Sequence, residues 1–258
     1  MKITPKSSVL GKFVLSISVL VIGSMQTMGQ SKDSIQVGGN ILVTNNGMSP
    51  IPTLSLGKPA AIFELDIKHK RWAFEPQFRF SLDGKPWSFV IWGRYRQNIG
   101  KKLALTLGAH PSFVFRSKDF VVSGVTKRYL TSVRFTAVEF APIYIVSPHF
   151  NFGVYYLYSH GWDEGATNNT HFATINANWG NVKIAPSLYF RAQPQLYFLK
   201  LDKAEGYYAT SAFTLSSPKT AFVLSSVVNK KIQSTIPGKD FVWNVALIYF
   251  FGKKYFRI

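Results

Sequence analysis

The sequence predicts an all-β chain: a single antiparallel transmembrane β-barrel of about twelve strands, within a range of roughly ten to fourteen, behind a cleavable signal peptide. Three observations predict it. Arg71 to Leu82, RWAFEPQFRFSL, splits into two faces of opposite chemistry. Trp72, Phe74, Pro76, Phe78, Phe80 and Leu82 lie on one side; Ala73, Glu75, Gln77, Arg79 and Ser81 lie on the other. This alternation recurs along most of the chain in runs of roughly ten residues, beyond the five or six usual in soluble sheets. Finally, no later stretch reaches the 18 to 20 apolar residues of a membrane helix, although the chain is 47% hydrophobic and 16% aromatic. Only strands closed on themselves would then satisfy their backbone groups in lipid.

The first segment reads as an export signal. Lys2, Lys6 and Lys12 supply a positive end, Phe13 to Ile22 a short apolar run, and Thr27 and Gly29 small residues before a cleavage site near Gln30. The expected division is 1–29 signal peptide and 30–258 barrel domain. Without the three signal lysines, 27 basic residues face 12 acidic ones, a net charge of +15. Export and the absence of a basic helix or zinc pattern argue against nucleic acid as the partner. Anionic lipid headgroups or an anionic solute fit the balance better. The chain has no cysteine, which excludes disulfides and thiolate chemistry.

In chain order, Gln36 to Asn45 is a glycine-rich first strand, Asn45 to Pro50 is turn chemistry, and Pro52 to Leu56 is a strand candidate. Ala61 to Lys68 alternates, with Glu64 and Asp66 on its polar side, and a basic turn leads into the Arg71–Leu82 strand. Asp83-Gly84 signals a hairpin that feeds Trp87 to Arg96, where Arg94 and Arg96 share the polar face. Lys102 to Phe115 follows. Arg116 to Arg128 reads as a long basic loop, and Arg128 to Val146 as a β-rich run. Counting puts Arg134 and Glu139 of that run on opposite faces, which predicts a bulge or bend between them. Phe150 to Tyr158 is a strand, Ser159 to Asn169 an elaborate loop and His171 to Trp179 a polar strand turned by Gly180-Asn181. Val182 to Phe198 keeps one parity for seventeen residues and reads as one long strand with Arg191 inward. Leu201 to Gly206 and Asn229 to Asp240 read as loops around two further strands, and Phe241 to Phe251 as the last. Short turns then alternate with longer loops, as in outer-membrane barrels.

Trp72, Trp87, Tyr95, Tyr158, Trp179 and Tyr249 fall at strand ends, where an interfacial girdle is needed. Pro76, Pro111, Pro142, Pro186 and Pro194 oppose the reading, since each removes a ladder bond. A soluble exported β domain is the reading they would favour. With the signal, the alternating strands and the aromatic C-terminal strand, the chain resembles small outer-membrane β-barrels of Gram-negative bacteria. The Gly29-Gln30 junction and aromatic content are most similar to the Bacteroidota versions. The resemblance implies residence in the outer membrane, contact with anionic lipopolysaccharide, and insertion by the barrel-assembly machinery. The chain departs from many such barrels in ending Phe256-Arg257-Ile258 rather than on an aromatic residue.

No catalytic set, metal site or cofactor is expected. Ser159, His160, His171, His149 and Glu139 are the residues a lipid-modifying barrel enzyme of the lipid A deacylase or phospholipase kind would use. As sequence neighbours, however, Ser159 and His160 point to opposite faces. His160, Asp163, Glu164 and His171 fit no metal-ligand spacing. The stronger constellation is an inward charge cluster: Glu64, Asp66, Glu75, Arg79, Arg94 and Arg96, extended by Arg134 and Arg191. It serves either as an ion-pair network filling a narrow lumen or as a selectivity ring for a small polar or anionic solute. Glu75 and Arg79 lie about 13 Å apart at strand rise, so each must find partners on neighbouring strands. The predicted function is a non-enzymatic narrow channel or a structural or binding barrel.

Overall fold

The computed structural model describes residues 34–122 and 124–256, and the signal peptide expected over 1–29 lies outside them. The strands are β1 (Ser34–Thr44), β2 (Ala60–His69), β3 (Trp72–Ser81), β4 (Pro86–Ile99), β5 (Leu103–Val122) and β6 (Val125–Ser147). They continue with β7 (Phe150–Gly161), β8 (Asn169–Ala185), β9 (Leu188–Leu201), β10 (Ala204–Ser216), β11 (Phe222–Ser234) and β12 (Phe241–Phe256). Each pairs antiparallel with its sequence neighbours, and β12 returns to β1 to close the barrel. Among the described residues no helix is long and apolar enough to cross a membrane.

The outer surface is an apolar belt. Phe63, Phe74, Leu107, Val138, Phe140, Val154, Ile175, Leu196, Leu224, Val245 and Leu247 are all exposed large apolar side chains on the outer parity of their strands. A monomer in water rarely exposes so much contiguous apolar surface. Aromatic contacts ring one end: Trp72 against Tyr95, Phe150 against Trp179, and Phe222 against Tyr249, with centroids 5.0, 4.8 and 5.2 Å apart. The protein is therefore an outer-membrane β-barrel, crossing lipid with strands.

Both described chain ends lie at the end with the short turns, 70–71, 100–102, 148–149, 186–187 and 217–221, which marks the periplasmic side. The opposite end carries the longer connections 45–59, 162–168 and 235–240. Several expected boundaries change. The basic stretch 116–128 is no loop: β5 and β6 pair without interruption out to Val122 opposite Val125. β4 and β7 stop pairing with them at Val114 and Phe135, so the far part of the β5–β6 hairpin projects beyond the neighbouring strands. The stretch 201–206 is likewise a two-residue turn with Asp202 at φ 52°. Pro52–Leu54 is a 3-10 turn rather than a strand. Gly180-Asn181 is a bulge inside β8, and the reversal comes at 186–187. β6 has no bend between Arg134 and Glu139; its register shift falls at Ile145/Ser147.

An eight-stranded barrel is just filled by side chains, so twelve strands leave a bore. Here the external connections fold into it. Ile236 joins Tyr155, Phe172, Tyr197, Leu199 and Tyr208 in one apolar cluster, with Ile51 packed against it. Leu54 packs on Val114, Val133 and Phe135. Trp87, expected in the interfacial girdle, is instead 3% exposed and donates its indole Nε1–H to the Leu54 carbonyl at 2.9 Å.

Candidate functional site

The charged interior is built by register. Arg94 on β4 stands opposite Gly108 on β5, and Gly108 stands opposite Glu139 on β6. Two strand spacings, about 10 Å, separate the outer pair, and the missing side chain at Gly108 lets them meet. A Cβ there would lie 2.5 Å from Glu139 Oε1. Arg94 donates Nε–H to Glu139 Oε1 at 2.6 Å, Nη2–H to Glu139 Oε2 at 3.2 Å, and Nη1–H to Glu75 Oε2 at 2.5 Å. Arg96 adds Nη2–H to Glu75 Oε1 at 2.7 Å, and the Tyr155 hydroxyl donates to Glu139 Oε2 at 3.0 Å. Arg94 also lies 3.9 Å from the centroid of the Trp92 ring. Two carboxylates and two guanidiniums thus balance inside the barrel, as buried charges must.

The other expected members sit around this core. Glu64 is buried and accepts from Asn40 Nδ2 at 2.7 Å. Arg79 is buried, donates Nη2–H to Gln77 Oε1 at 2.6 Å, and lies 5.4 Å from the Trp87 ring centroid. Asp66 pairs with Lys68, its own strand neighbour toward the periplasmic rim. Arg191 is half-buried on β9, outside the bonds of this cluster. Arg134 does not join the cluster. It stands on the outer parity of β6, where its guanidinium and amide bind Asp163 of loop 162–168 at 2.6 Å from Nη2 and from N. Its neighbours Val133 and Phe135 occupy the inner face.

Sequence reasoning left Glu139, Tyr155, Trp92 and Gly108 out of the cluster. The signal for Glu139 was the inward parity it shares with Phe135, Ala137 and Ala141, all buried. The residues weighed for catalysis are dispersed. Ser159 faces the lumen, whereas His160 stacks edge-on against Trp162, with centroids 4.8 Å apart. The outer-face His171 takes Tyr156 OH at 2.8 Å. His149 sits in the periplasmic turn against the Gly180 carbonyl. Among the described residues no group of three metal-ligating side chains converges.

A cavity of about 140 Å³ remains above the ion-pair core. Ser49, Ile51 and Leu54 of the inserted loop roof it; Arg79, Trp92, Arg94 and Glu139 line it together with the polar Thr106, His110, Ser112, Ser159 and Thr170 and the apolar Val114, Phe135, Leu157 and Phe172.

No protein-family model matches the chain, and no curated protein matches its sequence. Solved structures share its fold. The KdgM porin in complex with disordered oligogalacturonate has a TM-score of 0.51 at 8% identity, covering 83% of this chain and 98% of that one. An outer membrane channel from Pseudomonas putida F1 has a TM-score of 0.49 at 10% identity, covering 91% and 100%. The NanC porin has a TM-score of 0.43 at 13% identity, covering 87% and 100%.

Proposed function

We propose that this protein is a non-enzymatic, narrow solute channel whose bore is closed at rest by loop 45–59 and which holds a small polar or anionic solute beneath that loop. One observation carries the reading: a twelve-stranded bore is occupied from the outside by an inserted loop that leaves a lined cavity rather than a packed core. The loop is anchored at its two ends, where Asn45 and Val245 exchange two bonds, Asn46 Nδ2 donates to the Trp243 carbonyl at 3.0 Å, the Leu82 amide donates to the Pro59 carbonyl and Lys58 pairs with Asp83 at 2.8 Å; its tip meets the wall through Trp87 and Arg116, which donate to the Leu54 and Thr53 carbonyls. The tip is thus more lightly held than the ends, and it can yield where the Arg94 core beneath it cannot. The solute would meet paired charges, which orient a polar molecule without trapping it. In the same reading Lys118, Lys127 and Arg128 of the projecting hairpin face anionic lipopolysaccharide, and the barrel-assembly machinery inserts the chain.

The test is planar-bilayer recording. The full-length mature chain is expected to show rare, small openings. Replacing Met48 to Ser55 by a short Gly-Ser linker is expected to give steady conductance. If the linker variant, folded by its heat-dependent gel mobility, stays silent, the channel reading falls and a structural barrel remains.

A further inference from the structure

Arg116 belongs to two structures at once: the inner face of the projecting β5–β6 hairpin and the fastening of loop 45–59. Resting on the reading of that loop as a gate, we infer that Arg116 is an anion-responsive latch. It binds a ligand carrying two or more carboxylates or phosphates at the mouth, and in doing so releases the Thr53 carbonyl at the loop tip.

The anion site is built by register. Val114 and Val133 are paired and buried, which marks the inner face of the hairpin. Further out on that face Arg116 stands opposite Thr131, then Lys118 opposite Tyr129, then Phe120 opposite Lys127. Three cations thus climb from the barrel wall at steps of about 7 Å. The Phe120 and Tyr129 rings lie among them, with centroids 5.8 Å apart. The one acid between 115 and 134, Asp119, is on the other face, where Arg128 holds it at 2.7 and 3.0 Å. On the neighbouring loop 162–168 Asp163 is likewise held by Arg134, and the exposed Glu164 pairs with none of the three cations. Among the described residues Arg116, Lys118 and Lys127 enter no ion pair. A face with three cations and no acid selects an anion with more than one charged group.

The latch lies at the root of this ladder. The Thr53 carbonyl accepts from Arg116 Nη2 at 3.4 Å; Thr53 is exposed and Arg116 half-buried, so solvent reaches the bond. Beside it Leu54 packs on Val114, Val133 and Phe135. A neutral carbonyl uses one corner of the guanidinium fork, whereas a carboxylate or phosphate takes two parallel bonds, each roughly twice as strong. The fork is planar and rigid, so an anion gripped by its two terminal nitrogens takes the place of the Thr53 oxygen. Anion and loop tip compete for one donor group. By linkage, whatever anion binding takes from loop closure, loop closure takes from anion binding.

The experiment follows maleimide labelling of a Ser49→Cys probe on the loop, using the full mature chain in detergent at fixed ionic strength. An acetylated Glu-Ser-Glu-Ser-Glu peptide, extended, repeats its carboxylates at the step of the ladder. It is expected to quicken labelling saturably by roughly 2- to 10-fold, the effect of removing one neutral hydrogen bond. Its Gln-Ser-Gln-Ser-Gln counterpart should do nothing. Arg116→Leu should label faster without peptide and ignore its addition, and Lys118→Gln should need more peptide for the same effect. The linker variant lacking Met48 to Ser55 should bind the acidic peptide more tightly by titration calorimetry, by a similar factor. Quickening by lipopolysaccharide in the micelle, in place of the peptide, supports the latch and assigns its ligand to headgroup phosphates. An equal response to both peptides, slower or unchanged labelling with peptide and lipopolysaccharide alike, or a response that persists in folded Arg116→Leu would overturn the latch. Labelling is read without conductance, so silent bilayers with an intact peptide response remove only the channel. A conducting linker variant with no peptide response in the parent removes only the latch.

Discussion

The two inner walls of this barrel are held by different physics. On the β3–β6 side a few strong bonds fix everything: Arg94 alone bridges Glu75 and Glu139, and each partner is nearly inaccessible, with side-chain exposures of 8%, 9% and 2%. On the β8–β11 side the interior is neutral. Tyr197 and Tyr208 stack with centroids 4.8 Å apart and planes 10° from parallel. Their hydroxyls end on Asn229 and Ser234 at 2.9 and 2.7 Å, while Gln193, Gln195, Thr214 and Ser225 complete a buried polar surface. Among the described residues no carboxylate acts on the Arg191 guanidinium of β9. The comparison teaches that the number of charges in a lumen matters less than their connectivity. One wall is an obligate network, and the other is a packed surface that tolerates loss.

The largest expected effect breaks the network at its centre. Arg94→Leu leaves two buried carboxylates without their cation and should cost about 3 to 5 kcal/mol, read as a lowered thermal unfolding temperature in detergent. Adding Glu75→Gln and Glu139→Gln to that variant should restore more than half of the loss. The matching change on the other wall, Arg191→Leu, should stay within about 1 kcal/mol, because an unpaired cation costs desolvation that its removal returns. Equal losses at Arg94 and Arg191 would dissolve the distinction between the walls.

A smaller effect sharpens it through glycine. Gly108→Ala puts a methyl 2.5 Å from Glu139 Oε1 and 2.8 Å from its Cγ, so the carboxylate must leave Arg94. The expected cost is about 1 to 3 kcal/mol, the range of overpacking. In a Glu139→Ala background the same change should be nearly silent, a coupling that a double-mutant cycle reads directly. Gly180→Ala on the opposite wall meets only movable ends, Arg191 Nε at 3.3 Å and Asn178 Nδ2 at 3.4 Å. It should fall within about 0.5 kcal/mol.

These walls were unequally legible in the sequence. The barrel and the inward parity of Glu75, Arg79, Arg94 and Arg96 follow from alternation alone, because a strand has only two faces. The partners do not, since Arg94 reaches Glu139 by skipping a strand over Gly108, and no local pattern encodes that. Arg134 was misplaced for a related reason. Counting put it correctly on the face opposite Glu139, but the expected bulge that would have turned it inward is absent. Beyond it, Val125 to Leu130 is exposed on both faces, so alternation gives no signal there. The missed hairpin at 186–187 has a register cause. Val182 pairs with Phe190 and Lys183 with Tyr189, so even-numbered residues face outward on both arms and parity runs unbroken through the turn. The bulge at 180–181 had already shifted β8 by one residue, placing both Trp179 and Val182 outside.

The smallest expected effect concerns the loop that covers the network wall. Lys58 and Asp83 are both half-exposed, and together they tie loop 45–59 to the β3–β4 turn. The bond from the Lys58 ammonium, followed by those from Ser81 and the Lys85 amide, holds the Asp83 carboxyl well below the ordinary carboxylate range. A depressed value means that the clamp is intact at neutral pH and is lost only as pH falls through the folded value, below about pH 4. Exposure also means that salt screens it. The chain has no cysteine, so a single Ser49→Cys probe on the loop reports its exposure by maleimide labelling. At pH 7 Asp83→Asn should quicken labelling slightly, and high salt should do the same to the parent. Trp87→Phe, which removes a shielded bond to the Leu54 carbonyl worth about 1 kcal/mol, should quicken it more and without salt dependence. If Asp83→Asn proved the stronger of the two, the loop would be held by its rim charge rather than by the indole beneath it, and closure would be an electrostatic rather than a packed state.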